Sequence, residues 1–287
     1  MGRDDKLMVK YLITGAKGQL GTELTNMLIT NGDDFVAYSS SEFDITDREL
    51  VTYKVRTVRP QVIIHCAAYT AVDKAEDEDK ELNWQVNVAG TKNIVQAAKV
   101  VGAKVVYIST DYVFDGQKET EYQVDNPTNP LNEYGKAKLA GEQAIQQALS
   151  AYYIIRTSWV FGEFGNNFVY TMLKLAKAHD QLTVVNDQTG RPTWTKTLAE
   201  FMLYLVDHQC DFGMYQLSND NSATWYEFAK DILKNQDVTV SPVTSDQFPQ
   251  KATRPQHSIM SLDKAKQTGF EIPTWQNALA EFIKSIN

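Results

Sequence analysis

Short apolar runs alternate with stretches of helical pattern through the first two-thirds of the chain. The apolar runs predict five β-strands, at residues 9–14, 35–38, 62–65, 104–109 and 152–157. The stretches between them predict helices at residues 19–30, 47–59, 82–101 and 133–149. Continuous apolar strands that alternate with helices are typical of a parallel sheet covered on both faces. The pattern therefore predicts an α/β fold, a Rossmann-type doubly wound parallel sheet.

The alternation becomes looser after Thr157. Prolines interrupt short segments at Pro192, Pro242, Pro249, Pro255 and Pro273. Further helices are predicted at residues 168–178, 195–207, 224–233 and 275–286. We interpret this part as a smaller, partly interleaved C-terminal substrate domain. The dinucleotide-binding domain is predicted at residues 8–157 with about 190–215, and the substrate domain at about 158–189 and 216–287.

Composition and net charge indicate which classes of partner the protein can bind and in which compartment it is expected. A chain of 287 residues can bury a substantial core without disulfides. The net charge of −8 argues against nucleic acid or an anionic membrane as the main partner. No apolar run approaches the roughly 20 residues of a membrane-spanning helix. Cys66 and Cys210 are expected to be free thiols in a reducing compartment, so we expect a cytoplasmic protein.

A glycine-rich loop directly follows the first predicted strand and begins the first predicted helix. Its first glycine can make the tight turn, its second lets the backbone approach a pyrophosphate, and its third allows close packing of helix and strand. The phosphates would then lie at the positive end of the helix, against free backbone N–H groups. The candidate cofactor contacts in this loop are Gly15, Lys17, Gly18, Gln19, Leu20 and Gly21.

The end of the second predicted strand bears on the choice between the two nicotinamide dinucleotides. An Asp or Glu at this position would bind the ribose 2′-OH of NAD and repel a 2′-phosphate, but Tyr38 and Ser39 stand there. Together with Lys17 in the loop, this favours NADP, and use of NAD as well stays open. Asp44 and Ile45 are candidates to contact the adenine; a helix-capping role for Asp44 is the alternative.

A tyrosine and a lysine share one face of the predicted helix 133–149. Tyr134 and Lys138 are one turn apart. A phenol with a pKa of about 10 transfers a proton poorly at neutral pH, and a neighbouring ammonium favours the phenolate. Thr110, at the end of the strand 104–109, adds a hydroxyl that can hold a carbonyl oxygen. Tyr and Lys one turn apart are common by chance, but joined to the glycine loop and to Thr110 they predict carbonyl reduction with Tyr134 as the acid.

The glycine loop and these three residues resemble the extended short-chain dehydrogenase/reductase family. The resemblance is closer to its dTDP-4-dehydrorhamnose reductase branch and covers nearly the whole chain. It is carried by AAYTAVDKAE at residues 67–76, STDYVFDG at 109–116, RTSWV at 156–160 and DQTGRPT at 187–193. The resemblance implies reduction of the 4-keto group of dTDP-4-dehydro-6-deoxy-L-mannose to dTDP-L-rhamnose, with Lys138 tuning Tyr134 and holding the nicotinamide ribose.

The resemblance also implies further contacts to both ligands. Asn87 matches the family asparagine that steadies the sheet or a proton-relay water. The segment Ala67, Ala68 and Tyr69 would line the cofactor groove. The implied substrate contacts are Val72, Thr110, Asp111, Tyr112, Tyr134, Trp159, Asn167 and Arg254. For Trp159 a core aromatic and for Arg254 a surface salt bridge, instead of a diphosphate contact, stay open.

Two other functions are weighed against the reductase. A related epimerase or 4,6-dehydratase shares the fold, but such dehydratases usually carry Asp-Glu after the threonine, where this chain has Asp111-Tyr112. A non-catalytic subunit resembling the regulatory partner of methionine adenosyltransferase is the second alternative. Some relatives bind Mg²⁺ at a dimer contact. Glu23 stands at one matching position, but the rest of that site is not found, so Mg²⁺ stays open without support from the sequence; the histidines have no metal spacing. Whether the chain is a monomer or a homodimer stays open.

Overall fold

The computed structural model describes residues 9–286, so residues 8 and 287, the outer limits of the predicted domains, lie outside it. The strands are β1 Tyr11–Thr14, β2 Phe35–Tyr38, β3 Val62–His65, β4 Lys104–Thr110, β5 Tyr152–Thr157, β6 Val160–Phe161, β7 Gln181–Val185, β8 Thr189–Gly190, β9 Thr193–Trp194, β10 Gly213–Gln216, β11 Ala223–Thr224 and β12 Thr239–Val243. The α-helices are α1 Gln19–Asn31, α2 Arg48–Val58, α3 Lys80–Trp84, α4 Thr91–Val101, α5 Glu133–Ala148, α6 Phe168–Ala176, α7 Thr195–Asp207, α8 Trp225–Ile232, α9 Asp263–Gln267 and α10 Trp275–Ser285.

Six of these strands form one sheet. Their order is β10-β5-β4-β3-β1-β2, and each neighbouring pair is parallel. The strand order reverses beside β1, which is the topological switch of a doubly wound fold and the usual place for a ligand. The Rossmann-type parallel sheet expected from the sequence is confirmed.

Side chains alternate between the two faces of this sheet. In β1, Tyr11 and Ile13 join a core with α1 and α7, whereas Leu12 joins the opposite core with α2, α4 and α5. Successive side chains of a strand point to opposite faces, and here both faces are covered by helices. This explains why the predicted strands are apolar throughout instead of alternating.

A third core lies outside the sheet. Its buried aromatic residues come from β6, β9, α8 and α10, and include Phe161, Trp194, Phe228 and Phe282. Two-stranded pairs border it, among them β7 with β12 and β8 with β11. The chain therefore adds a smaller layer beyond the carboxyl ends of the main strands, where it can close over a ligand.

The prediction of one continuous helix at residues 82–101 is wrong in one respect. The segment consists of α3, a π-helical turn at Gln85–Gly90, and α4. The wider turn lets the Asn87 side chain reach the backbone of Tyr69, and Gly90 faces Ile45, where an added Cβ would lie 2.6 Å from Ile45 Cδ1. Tertiary contacts thus override the regular α-helix that the local pattern favours.

The other predicted elements lie within two residues of the observed ones. The predicted strand 9–14 begins at Tyr11, and the predicted helix 47–59 begins at Arg48 because the Asp47 side chain caps it, accepting a hydrogen bond from Leu50 N. Cys66 and Cys210 are free, as expected. No helix within residues 9–286 combines the length and apolar character that crossing a bilayer requires.

Candidate active site

The glycine loop after β1 is shaped by close backbone contacts. Gly15 has φ of 69°, and a Cβ there would lie 2.7 Å from Ala67 N. A Cβ on Gly21 would lie 2.2 Å from Gly15 O, whereas one on Gly18 would have 3.2 Å to the same oxygen. Gly15 and Gly21 are therefore required by the turn and by the packing of α1, while Gly18 keeps the outer surface of the loop open.

The amino end of α1 offers a place for phosphates. Its N-cap is Gly18, which makes no side-chain hydrogen bond, and its first turn contains no acidic residue. The free N–H groups and the positive end of the helix dipole are therefore not neutralised by the helix itself. This geometry fits the pyrophosphate of a dinucleotide.

One cavity of about 540 Å³ joins this loop to the predicted catalytic residues. It lies at the carboxyl ends of β1, β3, β4 and β5. The residues that line it include Lys17, Gly18, Gln19, Leu20, Gly21, Ala68, Thr110, Tyr134, Lys138 and Trp159. The structure thus brings together the predicted phosphate loop from Lys17 to Gly21, the three predicted catalytic side chains and Trp159, a further predicted substrate contact.

Tyr134 occupies the first turn of α5, directly beside the end of β4. The helix begins at the Asn132 cap, whose side chain accepts a hydrogen bond from Gly135 N at 2.7 Å. A Cβ on Gly135 would lie 2.2 Å from Tyr112 O, so the glycine lets this turn approach the segment after Thr110. The sequence thereby fixes the phenol next to the threonine hydroxyl.

The surroundings of Tyr134 keep it protonated at neutral pH. Burial raises the pKa of Tyr134 well above its ordinary value, and the Asp111 carboxylate raises it further. A hydrogen bond with Thr110 lowers the pKa but does not compensate. Asp111 is buried too, and burial raises its own pKa to about 6. Tyr134 therefore carries the proton that a reduction needs, but its pKa moves in the opposite direction to the lowering that the sequence predicted from a neighbouring ammonium, since Lys138 is not among the causes of the shift.

Lys138 lies one turn further along α5, with only 3% of its surface exposed. Burial lowers the pKa of Lys138 to about 7, although Glu142 and Cys66 oppose the shift. Its Nζ lies 4.0 Å from the centroid of the Tyr107 ring. The ammonium is therefore poorly solvated, and new polar partners would stabilise its charge.

Asn87 and the segment after β3 form one hydrogen-bonded unit. Asn87 Oδ1 accepts from Tyr69 N at 3.1 Å, and its Nδ2 donates to Tyr69 O at 3.0 Å and to Asn83 Oδ1 at 2.7 Å. Ala67 N is held by Thr14 Oγ1 at 3.1 Å. The segment predicted to line the cofactor groove is thus fixed on both sides, and Ala68 lies in the cavity.

The end of β2 has a carboxylate beside it that the sequence analysis did not predict. The Glu42 side chain turns back, and its Oε2 accepts from Ser39 N at 3.0 Å and from Ser39 Oγ at 2.5 Å. A carboxylate is therefore present where strand position alone indicated none. The sequence reading missed Glu42 because it lies beyond the strand end; the spacing Ser-x-x-Glu was the available signal.

The two candidate adenine contacts make local interactions in the same region. Asp44 Oδ1 accepts from Thr46 N at 2.9 Å and from Thr46 Oγ1 at 2.8 Å, so Asp44 stabilises a turn while Asp47 caps α2. The Ile45 side chain is buried in the core beside Gly90. Contact of either residue with adenine stays a prediction.

Trp159 is held at the wall of the cavity by its backbone and its neighbours. Its φ of 48° lies in the left-handed region, which is uncommon for a residue with a side chain. The indole stacks on Trp225 with ring centroids 3.7 Å apart, and a Cβ on Gly190 would lie 2.6 Å from its Cε2. Trp225, which sequence reasoning missed, fixes Trp159 against the cavity.

The remaining predicted substrate contacts lie around this cavity and a second one. Asn167 caps α6 and donates to Gln19 Oε1 at 2.9 Å. Tyr112 and Arg254 line an adjacent cavity of about 330 Å³, together with Phe168 and Trp225. Val72 is half-buried in the segment after β3.

Arg254 makes the salt bridge that the sequence left as an alternative. Its Nη1 and Nη2 bind the two carboxylate oxygens of Asp73 at 3.1 and 2.7 Å. The pair connects the C-terminal segment to the loop after β3. Contact of Arg254 with a substrate diphosphate stays a prediction.

Comparisons with known proteins agree with this geometry. A family model described as the RmlD substrate binding domain matches residues 9–287. The dTDP-4-dehydrorhamnose reductase of Aggregatibacter actinomycetemcomitans is 38% identical, with 95% of this chain and 97% of that protein covered. A probable dTDP-4,6-dihydroxy-2-methyloxan-3-one 4-ketoreductase of Streptomyces antibioticus is 35% identical, with 97% and 96% covered.

A solved structure is similar along the whole chain. The dTDP-4-dehydrorhamnose reductase from Bacillus anthracis str. Ames, in complex with NADP, superposes with a TM-score of 0.93. It is 40% identical, and the match covers 97% of this chain and all of that one. The similarity therefore includes both the sheet and the smaller layer.

Proposed function

The chain belongs to the family described by the RmlD substrate binding domain, and we propose that it reduces the 4-keto group of dTDP-4-dehydro-6-deoxy-L-mannose to dTDP-L-rhamnose. It is an oxidoreductase, and its cofactor is NADP. The observation that carries the proposal is the single cavity that joins the phosphate loop to Thr110, Tyr134 and Lys138. A cavity of this kind can accommodate a carbonyl between a dinucleotide and a proton donor.

We assign a role to each of these residues from its position in the cavity. NADPH, when bound, supplies the hydride that C4 of the sugar receives. Thr110 holds the carbonyl oxygen, and Tyr134 gives that oxygen its proton, so the ketone becomes a secondary alcohol. As the proton leaves, the Lys138 ammonium stabilises the phenolate and holds the nicotinamide ribose. The buried site strengthens these interactions because little water screens them.

The two parts of the chain divide the binding between them in this proposal. Residues 8–157 with about 190–215 hold the dinucleotide, and residues of about 158–189 and 216–287 hold the nucleotide sugar. The proposed substrate contacts from the second part are Trp159, Asn167 and Arg254. Val72, Asp111 and Tyr112 of the first part complete the sugar site, beside Thr110 and Tyr134. A cytoplasmic location stays a prediction.

A Tyr134→Phe variant tests the proposed acid. Loss of the hydroxyl removes the proton donor, so kcat for NADPH oxidation with the 4-keto sugar is expected to fall by about 10²–10⁴-fold. The affinity for NADPH, measured without the sugar, should stay close to that of the wild type. A Tyr53→Phe variant is the matched control, since Tyr53 is exposed on α2.

The same assay separates the alternative functions. Wild-type kcat in Tyr134→Phe would contradict the acid role. A wild-type protein that binds NADPH but is inert with every dTDP-keto sugar tested would favour the regulatory alternative. Formation of an epimer or a dehydration product without net NADPH oxidation would favour the other sugar-nucleotide enzymes.

A further inference from the structure

The end of β2 is the part of the site nearest to the adenosine ribose of a bound dinucleotide. Ala16 N donates to Tyr38 O at 3.0 Å, which connects the glycine loop to the last residue of β2. Ser39 follows directly and is buried. In Rossmann-type folds the residue at this place contacts the ribose 2′ position. The groups around Ser39 therefore determine whether the site accepts a hydroxyl or a phosphate at the ribose 2′ position.

Ser39 is surrounded by a small set of hydrogen-bond donors and positive charges. The donors are the Ser39 backbone N–H and hydroxyl, and the Ser41 hydroxyl lies 3.0 Å from Ser39 Oγ. Two positive charges lie close by: Lys54 Nζ is 4.0 Å from the ring centroid of Tyr38, the residue before Ser39, and Lys17 follows Ala16, whose N–H bonds to Tyr38 O. Together these groups form an anion site at the end of β2.

Glu42 already occupies this anion site. One carboxylate oxygen accepts both hydrogen bonds from Ser39, and these bonds lower the pKa of Glu42. A 2′-phosphate needs the same donors, and its negative charge is repelled by the carboxylate. A 2′-hydroxyl, in contrast, can donate a hydrogen bond to the carboxylate without displacing it.

We propose that Glu42 is an internal competitor for the 2′-phosphate and limits the preference for NADP over NAD. NADP binds after the exposed Glu42 side chain rotates away from Ser39, and its 2′-phosphate then takes the vacated donors. NAD binds with Glu42 in place. The inference rests on the dinucleotide-binding part of the proposed function and does not depend on the sugar.

Binding measurements with Glu42→Gln test the proposal. The amide keeps the size of the side chain but removes its charge, so the ratio Kd(NADP⁺)/Kd(NAD⁺) is expected to fall about tenfold in calorimetry without sugar. Glu49→Gln is the matched control, because Glu49 is an exposed glutamate in the first turn of α2. It removes the same charge away from Ser39 and should leave the ratio unchanged.

A fragment pair isolates the 2′ position. Adenosine 2′,5′-bisphosphate should bind more tightly to Glu42→Gln than to the wild type, whereas 5′-AMP should bind the two equally or bind the variant more weakly. The gain should shrink at high salt because the repulsion is electrostatic. An unchanged ratio in Glu42→Gln, or an equal change in Glu49→Gln, overturns the inference. Failure of the wild type to bind either cofactor would overturn the proposed function itself.

Discussion

At the scale of single residues, the protonation of Lys138 should make the affinity for the dinucleotide depend on pH. Burial lowers the pKa of Lys138 to about 7 in the cofactor-free protein, so the amine is charged below pH 7 and largely neutral at pH 8. A bound dinucleotide would bring ribose hydroxyls and phosphates that favour the charged form and raise this pKa. Binding is then coupled to proton uptake above pH 7, and affinity falls as the pH rises from 7 toward the pKa of the complex.

This coupling can be measured by calorimetry. Titration of NADP⁺ at pH 8 in two buffers with different ionisation enthalpies should give a net uptake of up to about one proton, and the uptake should vanish near pH 6. Lys138→Met should abolish it. Lys136→Met, which changes an exposed lysine of the same helix, should not. Equal uptake in wild type and Lys138→Met would contradict the prediction.

Some residue-scale features could be predicted from the sequence and others could not. Thr110, Tyr134 and Lys138 were predicted because strand ends and one-turn helix spacing bring such groups together. Glu42 was missed, since its carboxylate reaches Ser39 only through a turn that folds back on the strand end. The left-handed backbone of Trp159 was missed because the stacking on a distant tryptophan that holds the ring has no local signal.

At the scale of elements, α5 is fixed to β5 by a buried ion pair. Arg156 Nε and Nη2 donate to the two Glu142 carboxylate oxygens at 2.9 and 2.8 Å, and both side chains are buried. Arg156 Nη1 also donates to Val124 O at 3.2 Å. Glu142 lies one turn after Lys138, so the pair holds the helix that carries Tyr134 and Lys138.

Removing one partner of this ion pair should lower the free energy of unfolding more than replacing both partners with apolar residues. Arg156→Met leaves a buried carboxylate without its partner and is expected to lower the free energy of unfolding by about 3–5 kcal/mol. The double variant Arg156→Met/Glu142→Leu should recover part of this loss, because both buried charges are removed. Denaturant titration of the wild type, both single variants and the double variant gives the coupling free energy between Arg156 and Glu142. Strictly additive losses would contradict a specific pair.

Some helices and strands could be predicted from the local sequence pattern, whereas others are determined by tertiary contacts. The five predicted strands were confirmed because apolar runs between helices leave few alternatives. The π-helical turn at Gln85–Gly90 was not predicted, since it depends on the bond between Asn87 and Tyr69. Strand β12 was also missed: Pro242 indicates a break, but it is tolerated because β12 pairs only with β7 in a two-stranded ribbon.

At the scale of the whole molecule, the C-terminal part returns to the main sheet at several places. Arg254 binds Asp73 after β3, and Met260 pairs with Tyr122 between β4 and α5. These contacts place the smaller layer over the carboxyl ends of the strands, beside both cavities. The sequence predicted a partly interleaved arrangement from its irregular C-terminal pattern, but the partners of each segment depend on long-range contacts without a periodic signal.

The same long-range packing bears on whether the enzyme needs Mg²⁺. Glu23 of α1 accepts a hydrogen bond from Thr195 Oγ1 of α7 at 3.1 Å. Burial raises the pKa of Glu23 and the hydrogen bond from Thr195 lowers it in part, while the charges of Glu163 and Glu200 raise it and that of Lys196 lowers it. A carboxylate that already joins two helices is less free to bind a divalent ion, and within residues 9–286 no group of three or more His, Cys, Asp or Glu side chains is placed to hold a metal. We expect full activity without added Mg²⁺.

The test compares NADPH oxidation in EDTA with that in excess MgCl₂, and the two rates should agree within about twofold. Glu23→Gln keeps the bond with Thr195 through its amide oxygen, so it should retain this rate and lose at most about 1 kcal/mol of stability. Analytical ultracentrifugation under both conditions gives the oligomeric state. An EDTA-sensitive rate restored by Mg²⁺, accompanied by a shift from monomer to dimer, would contradict the prediction. That result would mean that a second copy completes a metal site around Glu23.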